Sequence, residues 1–396
     1  MWHPGSLFCM RTLALSSPET AVYVPLFRQT PSALLKLCVV IPVRNEADHL
    51  LQTLDALRNQ QDGQGRPLSH SIYEVLLLVN NCTDDTYQIA RNYQQDYPDF
   101  MLNVTEYWLA PKVAHVGTAR RLLMDEAHYR FALLGNPKGI IASTDGDTEV
   151  DPTWVYHTIE EIQKGTDAVG GRILVKSSDD HTGSYHLLDE TYRMLIARTE
   201  SILDAREYDP WPNHFQYYGA SLAVTASFYL QAGRLPVLPY LEDEAFCKAL
   251  LYKDAKIRRS PLVKVMTSNR HDGRVHIGLS EQLKKWAQME QAQELQMVAG
   301  APEIIARLTH RCTVRTCWND ATTCGKYNTA LLASVAHDVG ISPHRMQEEL
   351  EQSRYFGQLW ESVEQHMKSG GWHNKWQPVA IDQAILALQK FIENHC

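Results

Sequence analysis

Long hydrophobic runs are missing from this chain. No stretch of 18 or more apolar residues occurs, so no segment reads as a membrane-spanning helix. The apolar residues 7–15 are interrupted by Arg11 and end without a small-residue cleavage site, so they do not read as a secretory leader. Positive charge is also short: 38 Lys and Arg against 46 Asp and Glu leave a net charge of -8, with a pI near 6.1. The basic residues are scattered, which argues against nucleic acid as a partner, because phosphate binding needs basic surface that displaces counterions. Paired cysteines are absent too. The eight cysteines are irregularly spaced, with no Cys-x-x-Cys, and suit reduced thiols better than a disulfide framework. His310, Cys312, Cys317 and Cys324 are soft ligands of the kind zinc takes, to be weighed against ordinary buried thiols. Repeats and low-complexity tracts are lacking. These absences lead us to expect a soluble, cytoplasmic protein without an integral membrane segment.

What is present is apolar material for a large core: 396 residues, 44% hydrophobic and 21% charged, enough for one large domain plus an addition. Residues 1–36 carry Pro4, Pro18, Pro25 and Pro31 with no sustained period, and read as an N-terminal extension over the domain surface. Residues 37–42 are wholly apolar and end in proline, the pattern of a strand buried on both faces of a parallel sheet. Leu50, Leu51, Leu54 and Leu57 then recur at helical spacing behind a polar segment, 44–48. The alternation continues with a strand at 75–79, a helix from about Asp84, a strand at 102–107, a helix at 117–134 and a strand at 139–143. Strand and helix in turn predict a doubly wound α/β sheet with right-handed crossovers. Ligands bind beyond the carboxyl ends of the strands in such sheets, which singles out 42–46, 80–86 and 145–149. From about residue 280 the pattern turns helical, at 281–298, 327–339, 343–367 and 380–392. The expected organisation is an extension at 1–36, an α/β domain at 37–275 and a helical C-terminal region at 276–396.

Asp145-Gly146-Asp147 closes one of these strands, and residues 148–152 should open the next helix. Two carboxylates flanking a glycine can both reach one hard cation while the backbone turns closely beneath it. A divalent metal held there would bridge both phosphates of a nucleotide diphosphate and neutralise charge as the diphosphate leaves. The bland reading is a solvated Asp-Gly turn. A second acidic cluster, Glu242-Asp243-Glu244, begins a helix whose apolar face includes Phe246, Ala249 and Leu250. By itself it reads as an acidic first turn facing the helix dipole. Residues 208–215, rich in aromatics and prolines, are suited to stacking on a sugar and equally suited to plugging a core.

Four segments occur in order: Val40-Ile-Pro-Val-Arg-Asn-Glu46, Val79-Asn-Asn-Cys-Thr-Asp-Asp-Thr86, Gly117-Thr-Ala-Arg-Arg-Leu-Leu123 and Ser143-Thr-Asp-Gly-Asp-Thr148. Together they resemble glycosyltransferase family 2, with its Pro-x-x-Asn-Glu opening, Asp- or Asn-rich second turn ending in Thr, Gly-x-x-Arg helix start and Asp-x-Asp. The resemblance spans 37–275 and leaves both termini unexplained. It implies a GT-A Rossmann-like α/β/α sandwich and transfer of a sugar from a nucleotide-diphosphate sugar to a hydroxyl of a small-molecule or lipid-linked acceptor. It also implies a divalent metal, Mn2+ or Mg2+. By resemblance Pro42 and Glu46 sit against the nucleoside, with Glu46 accepting ribose hydroxyls, and Arg44, Asn81 and Asp84 join the donor site. Asp147 holds the metal, Asp145 faces the ribose or the metal, and Arg120 lies near the base and diphosphate, where a guanidinium suits phosphate oxygens. Asp243, with Glu242 beside it, matches the family's base, which takes the acceptor proton in an inverting transfer. His271 is a further metal ligand and Arg274 a phosphate ligand from a loop that closes in such enzymes; a structural histidine is the alternative. Gly219-Ala-Ser221 resembles the family's small-residue stretch beneath the acceptor. Asn80 and Asn81 depart from the paired aspartates that contact the base in many relatives.

Three other readings compete. A nucleotidyltransferase would open with a glycine-rich loop and a lysine after the first strand, and a dinucleotide-dependent oxidoreductase with Gly-x-Gly-x-x-Gly; residues 42–46 carry neither. A noncatalytic nucleotide-sugar-binding protein of the same fold is the reading from another class, and a retaining transferase is the alternative mechanism. Processive synthases of the family carry membrane helices and Gln-x-x-Arg-Trp, both missing here, so one sugar per acceptor is expected.

Overall fold

The computed structural model describes residues 23–175, 183–268 and 279–395. The chain begins by alternating β1 (Leu37–Val43), α1 (Leu50–Arg58), β2 (Tyr73–Asn80), α2 (Thr86–Asp96), β3 (Leu102–Tyr107), α3 (Val116–Leu133) and β4 (Ile140–Ser143). It continues through β5 (Thr148–Val150), α4 (Trp154–Gln163), β6 (Ala168–Val175), α5 (Gly183–Leu203), β7 (Leu222–Thr225), α6 (Ala226–Gln231), α7 (Glu242–Tyr252) and β8 (Ile257–Thr267). Eight strands form one sheet in the order β3-β2-β1-β4-β7-β6-β8-β5. β1 to β4 run parallel, while β7 is antiparallel to both neighbours and β5 antiparallel to β8.

Successive β1 side chains show why the first strand reads as wholly apolar. Leu37, Val39, Ile41 and Val43 enter a core with α1, α2 and α4, while Cys38 and Val40 enter a second core with α3, α6 and α7. Helices on both faces make an α/β/α sandwich. Leu50, Leu54 and Leu57 are fully buried, each contributing on the order of 2 kcal/mol by leaving water. Leu51, on the outer face of the same helix, is exposed. Pro42 lies beyond the last β1–β4 pair, Val40↔Ser143, so its missing N–H costs the sheet no ladder bond on that side.

Two expectations differ from the structure. Residues 148–150 form β5 rather than a helix start: Thr148 and Val150 are buried, and the segment pairs with Val265–Thr267 of β8. The helical region contains more elements than its periodicity predicts: α8 (Leu279–Gln291), β9 (Met297–Val298), α9 (Ala301–Cys324), α10 (Thr329–Val339), α11 (Pro343–Gln352), α12 (Phe356–Ser369), β10 (Val379–Ala380) and α13 (Ile381–Glu393). The expected 343–367 helix is broken because Asp254 accepts the N–H groups of Phe356 and Gly357, both at 2.7 Å, and so caps α12.

On α5 the helical region docks through two groups of contacts. Tyr192 of α5 packs with α9 and α13 in one apolar cluster. Beside it, Arg311 reaches Glu200 at 2.6 Å and Asp204 at 2.6 Å, and Arg315 reaches Asp204 at 3.0 Å. His310 and Cys324 are separated by nearly four turns of α9, on the order of 20 Å, so the four soft ligands of that segment cannot surround one ion. Cys317 is buried in the helical core and Cys324 is exposed.

Candidate active site

The carboxyl ends of β1, β2, β4 and β6 share one edge of the sheet with the amino end of β7, as the pairs Ser143↔Leu222 and Gly170↔Leu222 show. The turn after β1 reverses at Asn45 and the turn after β2 at Asn81, with φ of 53° and 51°. Asparagine is among the few side chains that tolerate this left-handed conformation. The two turns are laced together. Asp84 Oδ1 accepts from the Thr86 hydroxyl at 2.6 Å, Thr86 Oγ1 accepts the Glu46 N–H at 2.8 Å, and Asp84 Oδ2 accepts the Ala47 N–H at 3.2 Å. The Asn45 side-chain Oδ1 accepts the Thr83 N–H at 2.8 Å. Asn81 spends both ends of its amide on the Leu109 backbone, at 2.9 and 3.0 Å, and Arg44 donates to the Ala114 carbonyl at 3.2 Å. Asp84, Asn81 and Arg44 thus fix the loops around the strand ends.

Glu46 is buried against the Asp-Gly-Asp turn: a methyl on Gly146 would lie 2.6 Å from Val43 Cγ1 and 3.0 Å from Glu46 Cγ. Only glycine lets β1 and the turn approach this closely. Asp145 and Asp147 flank it. Asp147 Oδ2 accepts from the Ser268 hydroxyl at 2.5 Å, just past the end of β8.

Arg120, from the second turn of α3, joins the two acidic clusters. Its guanidinium donates through Nη2 to Asp145 Oδ1 at 2.5 Å and through Nη1 to Glu242 Oε1. Its side chain is 5% exposed, so this guanidinium is buried between carboxylates rather than turned outward, as a phosphate ligand would be. Burial would discharge Arg120, but Asp145 and Glu242 outweigh it and hold its pKa above the usual value. Burial pushes the Asp145 carboxyl up to about 6, against the pull of Arg120 and with the help of neighbouring Asp147, Glu242 and Asp243. Asp243 is oriented by backbone: Oδ2 accepts the Gly219 N–H at 2.6 Å and Oδ1 the Glu244 N–H at 2.8 Å. Leu241, in the left-handed region at φ 55°, turns the chain into α7 so that Glu242 and Asp243 fall on its first turn.

The structure therefore brings Glu46, Asp145, Asp147, Arg120, Glu242 and Asp243 to one edge, with Pro42, Arg44, Asn81 and Asp84 around it. His271 and Arg274 lie outside the described residues. Sequence reasoning missed His115 and Ser268. His115 caps α3 by accepting the Thr118 N–H, and burial lowers its pKa against the nearby Glu242. Its place two residues before Gly117 of the helix motif was the available signal. Much of the 208–215 loop plugs a core. Asp209, Asn213 and His214 are buried, with Asp209 gripped by Arg258 and Arg259, while Trp211 remains exposed.

The site's donor set fits a divalent cation in part. Asp145 and Asp147 offer hard oxygens, although Asp145 already shares one with Arg120. Among the described residues no three His, Cys, Asp or Glu side chains form a cation cage. Such an ion would therefore rely on substrate phosphates and water as well.

Among known proteins, a glycosyltransferase of Haloferax volcanii, AglE, is 26% identical over 148 residues, covering 36% of this chain and 40% of that protein. The chain thus matches less than half the length of that relative. Among solved structures, residues 1–349 of S. aureus TarS in complex with UDP-GlcNAc align over 85% of this chain and 92% of that one, with 13% identity and a TM-score of 0.45. The mannosyltransferase PcManGT of Pyrobaculum calidifontis, in complex with GDP-Man and Mn2+, aligns over 88% and 90%, with 14% identity and a TM-score of 0.40. The model of glycosyl transferase family 2 matches residues 38–218, which include the turns after β1, β2 and β4 and the start of α3. The four motifs and this match agree, and residues 38–218 of the α/β/α sandwich carry the glycosyl transferase family 2 match.

Proposed function

We propose that the protein transfers a single sugar from a nucleotide-diphosphate sugar to a hydroxyl acceptor, with inversion and with a divalent metal. The observation that carries this reading is Arg120, which ties the Asp145 carboxylate to Glu242, the neighbour of Asp243, within the matched domain. Donor-side and base-side acids are thereby held in one rigid arrangement, as a displacement needs. Pro42 and Glu46 bound the nucleoside side, with the loop around them pinned by Asp84, Asn81 and Arg44. Asn80 Oδ1, Ser143 Oγ and Thr144 Oγ1 are buried at the ends of β2 and β4 without protein partners.

Asp145 and Asp147 would hold the metal, which when bound would neutralise the departing diphosphate. His271 and Arg274 are proposed to add to the metal and phosphate contacts. Asp243 takes the acceptor hydroxyl's proton; the Gly219 N–H orients its carboxylate towards that task, and Glu242, paired to Arg120, positions it. No helix among the described residues is long and apolar enough to cross a membrane, and the described cysteines are free thiols, which supports a cytoplasmic setting for the reaction.

The test is a thermal-shift screen of nucleoside diphosphates with and without Mn2+, followed by turnover of the sugar nucleotide whose diphosphate binds. A ligand at 100 times its dissociation constant stabilises the fold by about 2.7 kcal/mol. No Mn2+-dependent rise in Tm with any nucleoside diphosphate would overturn the donor assignment. Binding without turnover of any sugar nucleotide would favour the noncatalytic alternative.

A further inference from the structure

A groove of about 460 Å³ opens beside the site, between α5, the end of β6, the 208–216 loop and the end of α13. Its volume falls within the range of roughly 300–1,000 Å³ found for small-molecule sites. Arg172, Glu190, Met194, Arg198, Trp211 and Ile392 are among the side chains that line it. We infer that this groove is a subsite for the acceptor, in which a neutral pyranose ring stacks on Trp211 one or two sugar units from the hydroxyl that is glycosylated. The inference rests on the reading of the site as a sugar transferase.

The chemistry of the walls points to a sugar. Trp211 is 42% exposed although its neighbours Asn213 and His214 are buried, so the loop is anchored while this one indole is presented. The Arg198 guanidinium lies 4.8 Å from the ring centroid and fixes its plane. Arg172 and Glu190, paired at 2.7 Å, place a rigid donor and acceptor across the groove, and Met194 and Ile392 supply apolar surface. A pyranose offers the matching set: an apolar C–H face for the indole and a rim of hydroxyls for the ion pair.

One stretch of chain links a wall of the groove to the candidate base. The Gln216 side chain accepts the Ile173 N–H at 2.8 Å and donates to the Ile173 carbonyl at 3.0 Å, clamping residues 215–221 to the strand that carries Arg172. Three residues on, Gly219 donates to Asp243. That stretch of chain spans at most about 11 Å. Tyr218 lies along it, close enough to feel both Arg193 of α5 and Asp243 of α7. An acceptor with its hydroxyl at Asp243 and a further ring on Trp211 would run along this stretch past Tyr218. Ile392 makes the C-terminal helix one wall of this path, which gives the region outside the matched domain a part in acceptor binding.

Saturation-transfer difference NMR on the full chain tests this, with cellobiose, maltose and N,N'-diacetylchitobiose as probes and 1-hexanol as an apolar control. At least one disaccharide should bind; Trp211→Ala and Arg198→Ala should weaken that binding on the order of tenfold, and Trp211→Phe should retain most of it. Binding of none of the three disaccharides, equal binding by Trp211→Ala, or binding of 1-hexanol alone would each overturn the subsite. Each variant is also checked for its thermal shift with the nucleoside diphosphate and Mn2+. If that shift persists while the disaccharides fail, the acceptor subsite is wrong and the donor reading stands; if wild type itself shows no such shift, it is the transferase reading that falls.

Discussion

Gly219 and Arg120 are packed so closely that a methyl on Gly219 would lie 2.8 Å from Arg120 Nη1. The guanidinium cannot swing away, because Asp145 and Glu242 hold it and the side chain is buried. Gly219→Ala should therefore push Arg120 off both carboxylates and cost about 1–3 kcal/mol by overpacking. Transfer should fall more than donor affinity does, since the displaced groups include the neighbour of the base. Denaturant unfolding and steady-state kinetics check this, and a variant with wild-type stability and rate would remove the brace from the argument.

Asp243→Asn keeps the shape that accepts the Gly219 N–H but cannot take up a proton. The expected outcome is loss of transfer by at least about 100-fold, in the range of general-base contributions, with the nucleotide thermal shift unchanged. The anomeric configuration of the wild-type product is the companion measurement. Retention of the donor's configuration would reassign Glu242 and Asp243 to acceptor positioning.

What sequence made visible, and what it hid, follows from the range of the forces involved. Residues 37–42 and the Leu50, Leu54 and Leu57 stripe were legible because burial imposes a local period. The strand-end motifs were legible because each turn is built from neighbours, as the Asp84–Thr86–Glu46 lacing shows. β5 and β7, of three and four residues, are set by pairing with distant strands and carry no period of their own. α9 escaped because its threonines, valine and cysteines are weak helix formers; packing of Ile304, Leu308, Val314 and Cys317 stabilises it instead. The ion pair between Arg120 and Glu242 joins residues 122 apart, which no local pattern announces.

The helical region should depend on Asp204. This carboxylate is 2% exposed and meets Arg206, Arg311 and Arg315, so its loss leaves three half-buried cations short of a counter-charge. Asp204→Asn should destabilise the protein by about 3–5 kcal/mol, as removal of one partner from a buried ion pair does. Differential scanning calorimetry reads the change. A shift no larger than that of an exposed control such as Glu393→Gln would mean that apolar contacts, not this cluster, dock the helices.

His214 sets an acid limit. It accepts the Gln216 N–H through Nδ1 at 3.0 Å and faces the Ser260 carbonyl through Nε2 at 3.2 Å, an arrangement that suits the neutral ring. Burial holds its pKa down at about 3. An unfolded histidine binds its proton near pH 6.5. The folded state is thus favoured above that value and loses about 1.4 kcal/mol per unit as pH falls from 6.5 towards 3. His214→Gln should flatten this part of the stability profile between pH 7.5 and 5.5 in urea titrations. An unchanged slope would show that the acid sensitivity resides in other groups.

The metal prediction turns on Asp147. Its Oδ2 accepts the Ser268 hydroxyl at 2.5 Å, so a side chain at the end of β8 aims the carboxylate while its other oxygen is left for a ligand. Asp147 is part of a turn rather than of either apolar core, so Asp147→Ala should change stability by no more than about 0.5 kcal/mol. It should nevertheless abolish Mn2+-stimulated transfer. The comparison that separates a metal ligand from a substrate ligand uses EDTA. Wild type in EDTA and Asp147→Ala with or without Mn2+ should give the same small thermal shift with nucleoside diphosphate, whereas wild type with Mn2+ gives a large one. Ser268→Ala, which frees the carboxylate without removing it, should raise the Mn2+ concentration needed for half-maximal rate and leave the rate at saturating Mn2+ near normal. If Asp147→Ala keeps a Mn2+-dependent shift, the ion is held elsewhere, and Asp145 with Glu46 becomes the pair to examine.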